Sequence, residues 1–276
     1  PGINYFELRI CASLSLTAYV FAFSGLISSY ALRLVLGIIG YATIPMLAFI
    51  IDESFRHITN YTKMLLRNLG LALLCAYPYR FAFASAANLS DIRSYFSCAL
   101  TAFLMTGSLF LYDRMKTRAQ RVFCVAFLTA MTLLVGAEFS PYLPLLVFLI
   151  HLFRIEQADS DERKLHSGEA ELEAQANERK YVLSRTTFIK YAYCVVTFAV
   201  VTLTVTLLFS KTWDGYSQMF GSETFRNCCM PGMILSLPAV KFYNGERGPS
   251  TLPAKLAYRL FYPLLLGTAV LLKIFG

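Results

Sequence analysis

An acid and an imidazole stand four positions apart in the segment IIDESFRHITN, residues 50–60. Glu53 and His57 would share one face if the helix that holds Glu53 continues to residue 57. A carboxylate beside an imidazole is a reasonable general-base pair, so these two residues are our catalytic candidates. The same spacing also fits residues that anchor the end of a helix at a polar interface.

Other polar residues lie inside or between apolar runs. Arg67, in MLLRNLGL, either extends its side chain to the nearest polar surface or has a functional role. His151 ends another apolar run and is expected to be an interface residue. The segment FYNGERG, residues 242–248, separates two apolar runs. Its Asn-Gly pair favours a left-handed turn, and Gly248 permits a second reversal of the chain.

Several other kinds of site are not indicated. The chain has seven cysteines, and their spacing fits neither a disulfide framework nor a metal site. No P-loop, HExxH motif, dinucleotide fingerprint or Ser-His-Asp order is present. The net charge is +8, but no basic stripe alternates with aromatic residues, so nucleic-acid binding is not expected.

The elements that must position the polar residues are predicted to be membrane helices. The chain is 57% hydrophobic and 15% charged, with a mean hydropathy of +0.54, which is typical of an integral membrane protein in a lipid bilayer. A crossing helix needs about 20 apolar residues. Nine segments approach that length, give or take one: 9–27, 32–51, 65–85, 94–112, 122–137, 140–153, 188–209, 228–242 and 257–275. We therefore predict an all-α, polytopic helical bundle with about nine transmembrane helices. The sixth and eighth segments are short, and the first lacks the exit pattern of a cleaved signal peptide.

Basic residues predict the orientation. Alternate connections hold most of the loop Lys and Arg residues, whereas the other set holds only Arg93, Lys211 and Arg226. The positive-inside rule then places the N-terminus in the cytoplasm or its equivalent. Three parts follow: a six-span half at 1–153, a charged cytoplasmic loop at 154–187 and a three-span part of the same bundle at 188–276. The charged loop fits a solvated helix or a flexible linker, and a docking site for a partner remains an alternative.

Three stretches carry a longer pattern, at residues 36–73, 75–81 and 235–271. The first has the order Gly-x-x-x-x-Pro-x-x-Ala-Phe, then an acid, a His-x-Thr-Asn and a Lys and Arg one turn apart. The third has Tyr-Asn-Gly-x-x-Gly followed by Phe-Tyr-Pro. The matching residues are Gly40, Pro45, Ala48, Phe49, Glu53, His57, Thr59, Asn60, Lys63, Arg67, Tyr243, Asn244, Gly245, Gly248, Phe261, Tyr262 and Pro263. In this order and spacing the chain resembles the TraX family of polytopic membrane proteins.

The resemblance implies acyl transfer at the membrane, with acetyl-CoA as co-substrate on the cytoplasmic side. In an active member of this kind, His57 or Glu53 would have to serve as the base, although neither occupies the position of a family histidine. The resemblance also implies that the CoA phosphates meet Lys63, Arg67 and the turn residues Tyr243, Asn244, Gly245, Arg247 and Gly248. The expected location is a bacterial inner membrane or an organellar inner membrane.

The chain departs from the family pattern where that pattern places its histidines. TAYVF, residues 17–21, replaces the Asp-His pair of the first span, and Leu264 and Leu265 stand after Tyr-Pro in the last span. We therefore expect a TraX-like protein that has lost acetyl transfer and serves as a structural or assembly subunit of a membrane protein complex. The alternatives are an active membrane acyltransferase and a transporter or channel.

Overall fold

The computed structural model describes residues 2–83, 97–135, 137–166, 182–210, 223–249 and 251–275. Within these residues the predicted all-α fold is confirmed. The α-helices are α1 Tyr5–Phe23, α2 Tyr30–Tyr41, α3 Thr43–Arg56, α4 Tyr61–Phe83, α5 Cys98–Arg114, α6 Arg118–Val135, α7 Tyr142–His166, α8 Arg185–Ser210, α9 Glu223–Cys228, α10 Leu237–Lys241 and α11 Leu252–Phe275. A 3₁₀ helix, Met230–Ser236, lies between α9 and α10.

The second apolar segment forms two helices because of Pro45. Proline has no N–H, so the carbonyl of Tyr41, four residues earlier, receives no helical hydrogen bond from it. Accordingly α2 ends at Tyr41 and α3 begins at Thr43. The last turns of α3 carry Asp52 and Glu53.

The turn at residues 242–248 is attached to the start of α1. The N–H of Asn244 donates to the carbonyl of Ile3 at 3.0 Å, and the N–H of Tyr5 donates to the carbonyl of Glu246 at 2.7 Å. Gly245 and Gly248 have φ angles of 83° and 69°, in the left-handed region that the sequence predicts for this turn. The turn therefore holds a fixed position beside the N-terminus of the first helix.

Contacts at the two ends of the bundle show that successive segments run in alternating directions. We call the end at which α1 begins the proximal end, and the end at which α1 finishes the distal end. Proximal contacts join the pairs Ile3 and Tyr243, Phe55 and Tyr61, Tyr112 and Arg121, Glu156 and Lys190, and Arg9 and Tyr258. Distal contacts join the pairs Phe23 and Phe225, Tyr19 and Phe83, Cys98 and Glu138, Tyr142 and Thr202, and Ala82 and Lys273.

The eighth predicted segment, 228–242, is a broken run of short helices. It comprises the end of α9, the 3₁₀ helix and α10, and it passes from Phe225 at the distal end to Tyr243 at the proximal end. It packs directly on α2, where a Cβ added at Gly232 would collide with the backbone of Ile38. Close approach to α2 therefore requires glycine at position 232.

Four helical segments in the described part of the chain are long and apolar enough to cross a membrane. They are Tyr5–Phe23, Tyr30–Arg56, Arg185–Thr206 and Leu256–Phe275. The predicted total of about nine crossings stays a prediction. Helix α7 continues beyond residue 153 to His166, so the first part of the predicted charged loop is helical. The rest of that loop up to residue 181 lies outside the described residues, as do Arg93 and Lys211.

Candidate functional site

Two adjacent acids near the end of α3, Asp52 and Glu53, are completely buried. Arg154 on α7 is also buried, and its Nη1 lies 3.1 Å from Asp52 Oδ2 and 2.5 Å from Glu53 Oε2. Its guanidinium also covers the ring of Phe49. Buried charges require partners that replace water, so the two acids share the positive charge of Arg154, which joins α3 to α7.

His151 extends this buried ionic cluster. Its Nδ1 lies 2.6 Å from Asp52 Oδ1 and its Nε2 lies 2.9 Å from Asp113 Oδ1. A carboxylate at each ring nitrogen favours the doubly protonated imidazolium, since both nitrogens then donate. The side chain of His151 is enclosed between α3 and α5 and is only 4% exposed, and its expected place at the membrane interface stays a prediction.

Glu53 and His57 are brought together as the spacing predicts. Glu53 Oε1 lies 3.0 Å from His57 Nε2, and Nη2 of Arg247 lies 2.9 Å from His57 Nδ1. Arginine has no acceptor, so Nδ1 must accept and the ring proton resides on Nε2. His57 is therefore the neutral tautomer, oriented by Glu53, with its basic nitrogen facing Arg247.

Tyr243, from the turn 242–248, completes the surroundings of Glu53. Its hydroxyl donates to Glu53 Oε1 at 2.7 Å, and its ring packs edge-on against Phe49. Burial and the neighbouring Glu53 raise the pKa of the Tyr243 hydroxyl, which therefore stays protonated and remains a donor. This contact fixes the turn over the end of α3.

A cavity of about 590 Å³ opens beside His57 at the proximal end. The charged lining residues that the structure describes are all basic: Arg9, Lys63, Arg67, Arg247 and Arg259. Hydroxyl and amide side chains from Tyr5, Ser54, Thr59 and Asn60 also contribute. A cavity with this lining favours a ligand that carries several negative charges, such as phosphate groups. We call it the basic cavity.

Arg9 is held rigidly on the wall of the basic cavity. Its Nη2 donates to the hydroxyl of Tyr5 at 2.8 Å, and its guanidinium stacks on the rings of Tyr5 and Tyr258. Its Nε is buried and has no hydrogen-bond partner among the described residues. Arg9 and Arg259 each lie close enough to Arg67 for their positive charges to repel that of Arg67. An anion between them would relieve that repulsion.

The residues predicted to contact a cofactor do not all lie together. Five of the predicted site residues line the basic cavity: His57, Lys63, Arg67, Arg247 and Gly248. Tyr243 and Glu53 are not among the lining residues; Tyr243 donates to Glu53, and Glu53 contacts His57, which does line the cavity. Asn244 and Gly245 shape the turn, where Asn244 hydrogen-bonds Glu246.

A third buried carboxylate, which the sequence reasoning missed, lies at the distal end. Glu138, between α6 and α7, accepts from the N–H of Cys98 at 2.8 Å, and its backbone carbonyl accepts from Thr101. Burial raises its pKa. A lone acid in the connection between two apolar segments is the signal that could have drawn attention to Glu138.

Comparison with known proteins gave no match for this chain. No protein-family model, no curated protein and no solved structure matches it. The geometry of the site therefore carries the functional argument.

Proposed function

We propose that this chain is an integral membrane protein that crosses the bilayer about nine times, with its proximal end on the cytoplasmic side. The alternating direction of the segments supports this topology. The loop Lys and Arg residues in the described part of the chain also support it, because those at the proximal end outnumber those at the distal end. In this arrangement the basic cavity opens toward the cytoplasm.

The function that the geometry supports best is acyl transfer from a coenzyme A thioester, in keeping with the resemblance to the TraX family. The basic cavity carries this proposal, because five basic side chains beside an acid–imidazole pair suit a donor with several phosphate groups. The donor phosphates bind Lys63, Arg67 and Arg247. Glu53 stabilises the positive charge that His57 acquires during the reaction.

The tautomer of His57 determines which of its nitrogens acts as the base in acyl transfer. When a donor phosphate draws Arg247 away, Nδ1 of His57 becomes available as a base. Nδ1 then takes the proton from an acceptor hydroxyl or amine, whose heavy atom forms a bond to the thioester carbonyl carbon. The bond from that carbon to sulfur breaks, and the coenzyme A thiolate takes the proton from His57 as it leaves.

The binding step is tested by thermal unfolding of the purified protein in detergent with acetyl-CoA or adenosine 3′,5′-bisphosphate. A ligand that binds only the folded state stabilises it by about 2.7 kcal/mol at 100 times its dissociation constant. Arg67→Gln should raise the half-saturating concentration about tenfold or more, since a hydrogen bond to a charged group contributes about 1.5–3 kcal/mol. The matched control is Arg114→Gln, at the same end of the bundle but packed on Phe110 outside the cavity. The absence of saturable stabilisation by either ligand would contradict the proposal.

A structural or assembly role in a membrane complex is the second candidate, and two observations favour it. Arg247 donates a hydrogen bond to Nδ1 of His57, the nitrogen that a base would need. Leu264, which stands where the family has a histidine, is 65% exposed on the outside of α11. Transfer of radiolabelled acetyl groups from acetyl-CoA to membrane vesicles separates the two candidates. The enzyme predicts transfer that His57→Gln abolishes while binding persists. The structural role predicts no acetyl transfer by the unmodified protein or by the His57→Gln variant.

A further inference from the structure

A second cavity of about 380 Å³ adjoins the basic cavity. The two cavities share five lining residues: Arg9, Ser54, Met64, Arg67 and Arg259. The three arginines therefore stand where one cavity meets the other. A ligand that bound them could extend into both.

The second cavity is apolar and lies among α1, α3, α4, α5 and α11. Apolar side chains form most of its wall, including Leu16, Leu47, Ile50, Ile51 and Leu71. The polar side chains of Asn68 and Thr106 satisfy each other by a hydrogen bond of 3.2 Å. We call this space the apolar cavity, and its lining suits a hydrocarbon chain.

The apolar cavity reaches the side of the bundle. Gly70 lines it, and a Cβ added there would meet nothing within 4 Å. Leu74 and Leu260, also in the lining, are 53% and 43% exposed. In a membrane this side faces acyl chains, so a lipid can enter without passing through water.

We infer that the two joined cavities bind a lipid phosphate, with its phosphate on Arg9 and Arg259 next to Arg67 and an acyl chain in the apolar cavity. This inference rests on the proposed function, in which the acceptor is a lipid phosphate that carries a free hydroxyl group, with that hydroxyl facing His57. The phosphate supplies the anion that the three clustered arginines lack among the described residues. At about 30 Å³ for a water-sized group, the apolar cavity holds roughly a dozen such groups, enough for one chain of moderate length.

Charge complementarity selects this ligand over the other molecules that a membrane supplies. A zwitterionic lipid with the same chains would bring a second, positive group into the arginine cluster and would lose affinity. A headgroup without chains would leave the apolar cavity unfilled. Each methylene buried from water raises affinity about three- to fourfold.

The test measures stabilisation of the detergent-purified protein by dioctanoyl phosphatidic acid, with three comparison ligands. We expect dioctanoyl phosphatidylcholine and glycerol 3-phosphate each to require at least tenfold higher concentrations for half-saturation. Dihexanoyl phosphatidic acid should reach half-saturation at a concentration about tenfold higher than dioctanoyl phosphatidic acid, because its buried acyl chain is two methylenes shorter. Equal effects of phosphatidic acid and phosphatidylcholine would overturn the inference, as would equal effects of phosphatidic acid and glycerol 3-phosphate.

Substitutions in the wall of the apolar cavity test where the acyl chain of the lipid binds. Gly70→Phe places a ring in the apolar cavity. It should weaken the binding of dioctanoyl phosphatidic acid at least tenfold and leave the binding of adenosine 3′,5′-bisphosphate unchanged. Ala102→Leu should act in the same direction from α5. The matched control is Gly267→Phe, since Gly267 also has open space at its Cβ but does not line the cavity. An unchanged lipid affinity in both cavity variants would overturn the inference. Loss of nucleotide binding alone would overturn the proposed function and leave the lipid result standing.

Discussion

Arg154 on α7 and Glu53 on α3 form a buried ion pair, although 101 positions separate them in the chain. The side chains are 5% and 0% exposed. Glu53 also contacts His57 and Tyr243, so the pair is the link between the α3–α7 packing and the candidate site. The orientation of His57 therefore depends on a charge that α7 supplies.

Arg154→Met is expected to lower the free energy of unfolding by about 3–5 kcal/mol, because two buried carboxylates lose their shared cation. Thermal unfolding in detergent measures this loss. The matched control is Lys190→Met, which breaks the ion pair with Glu156 between side chains that are 48% and 51% exposed. Exposed pairs contribute about 0–1 kcal/mol, so a similar loss in both variants would contradict the assignment.

Local patterns allowed part of this site to be predicted. The Glu53–His57 contact follows from their spacing within four residues, which is a property of one helix and its end. The turn at 242–248 follows from Asn-Gly and Gly248, since few other residues adopt positive φ. Hydropathy placed the apolar segments, but it could not show that Pro45 divides the second segment or that the eighth is broken.

Partners from distant parts of the chain could not be predicted in the same way. Nothing in the local sequence of His151 or Arg154 identifies α3 as the element against which they pack. Arg9 and Arg259 did carry a signal, because each is a cation next to or within an apolar segment. Their convergence with Arg67 depends on how α1, α4 and α11 meet, which only the fold provides.

Tyr243→Phe is expected to destabilise the protein by about 1–3 kcal/mol, because Glu53 loses a buried hydrogen bond. The edge-on contact with Phe49 is retained, so the change isolates the hydroxyl. Chemical or thermal unfolding gives the magnitude. Tyr193→Phe serves as the control, since Tyr193 is 72% exposed and its hydroxyl can remain solvated. Equal stability of Tyr243→Phe and the unmodified protein would show that the hydroxyl contributes nothing to Glu53.

Glu138→Gln is expected to change how stability depends on pH. Burial raises the folded-state pKa of Glu138 above its unfolded value of 4.5. Its stabilising contribution is therefore fully present below pH 4.5 and is lost as the pH rises through the folded pKa. Within that window each increase of one pH unit lowers the free energy of unfolding by up to about 1.4 kcal/mol. The groups around it are Tyr19, Tyr79, Tyr262, Cys98 and Arg226.

The measurement compares thermal unfolding of the two proteins from pH 4.5 to pH 8, so that groups common to both cancel. The amide that replaces the carboxyl group keeps an oxygen that can accept from the N–H of Cys98, but it has no proton to lose in this range. The variant should gain stability relative to the unmodified protein as the pH rises. A stability difference that stays constant across this range would refute the raised pKa.

Gly40→Ala is expected to destabilise the packing of α1 against α2 by about 1–3 kcal/mol. A Cβ at Gly40 would lie 2.6 Å from the Cα of Tyr19 and 2.8 Å from its backbone nitrogen, so two helix backbones would have to separate. Tyr19 is itself fully enclosed and packs against Tyr41 and Phe139. The matched control is Gly267→Ala in α11, where a Cβ meets nothing within 4 Å. Because alanine favours the helix over glycine by about 1 kcal/mol, the control should be neutral or more stable. The opposite signs of the two changes in unfolding temperature would establish that close helix contact, rather than backbone freedom, requires glycine at position 40.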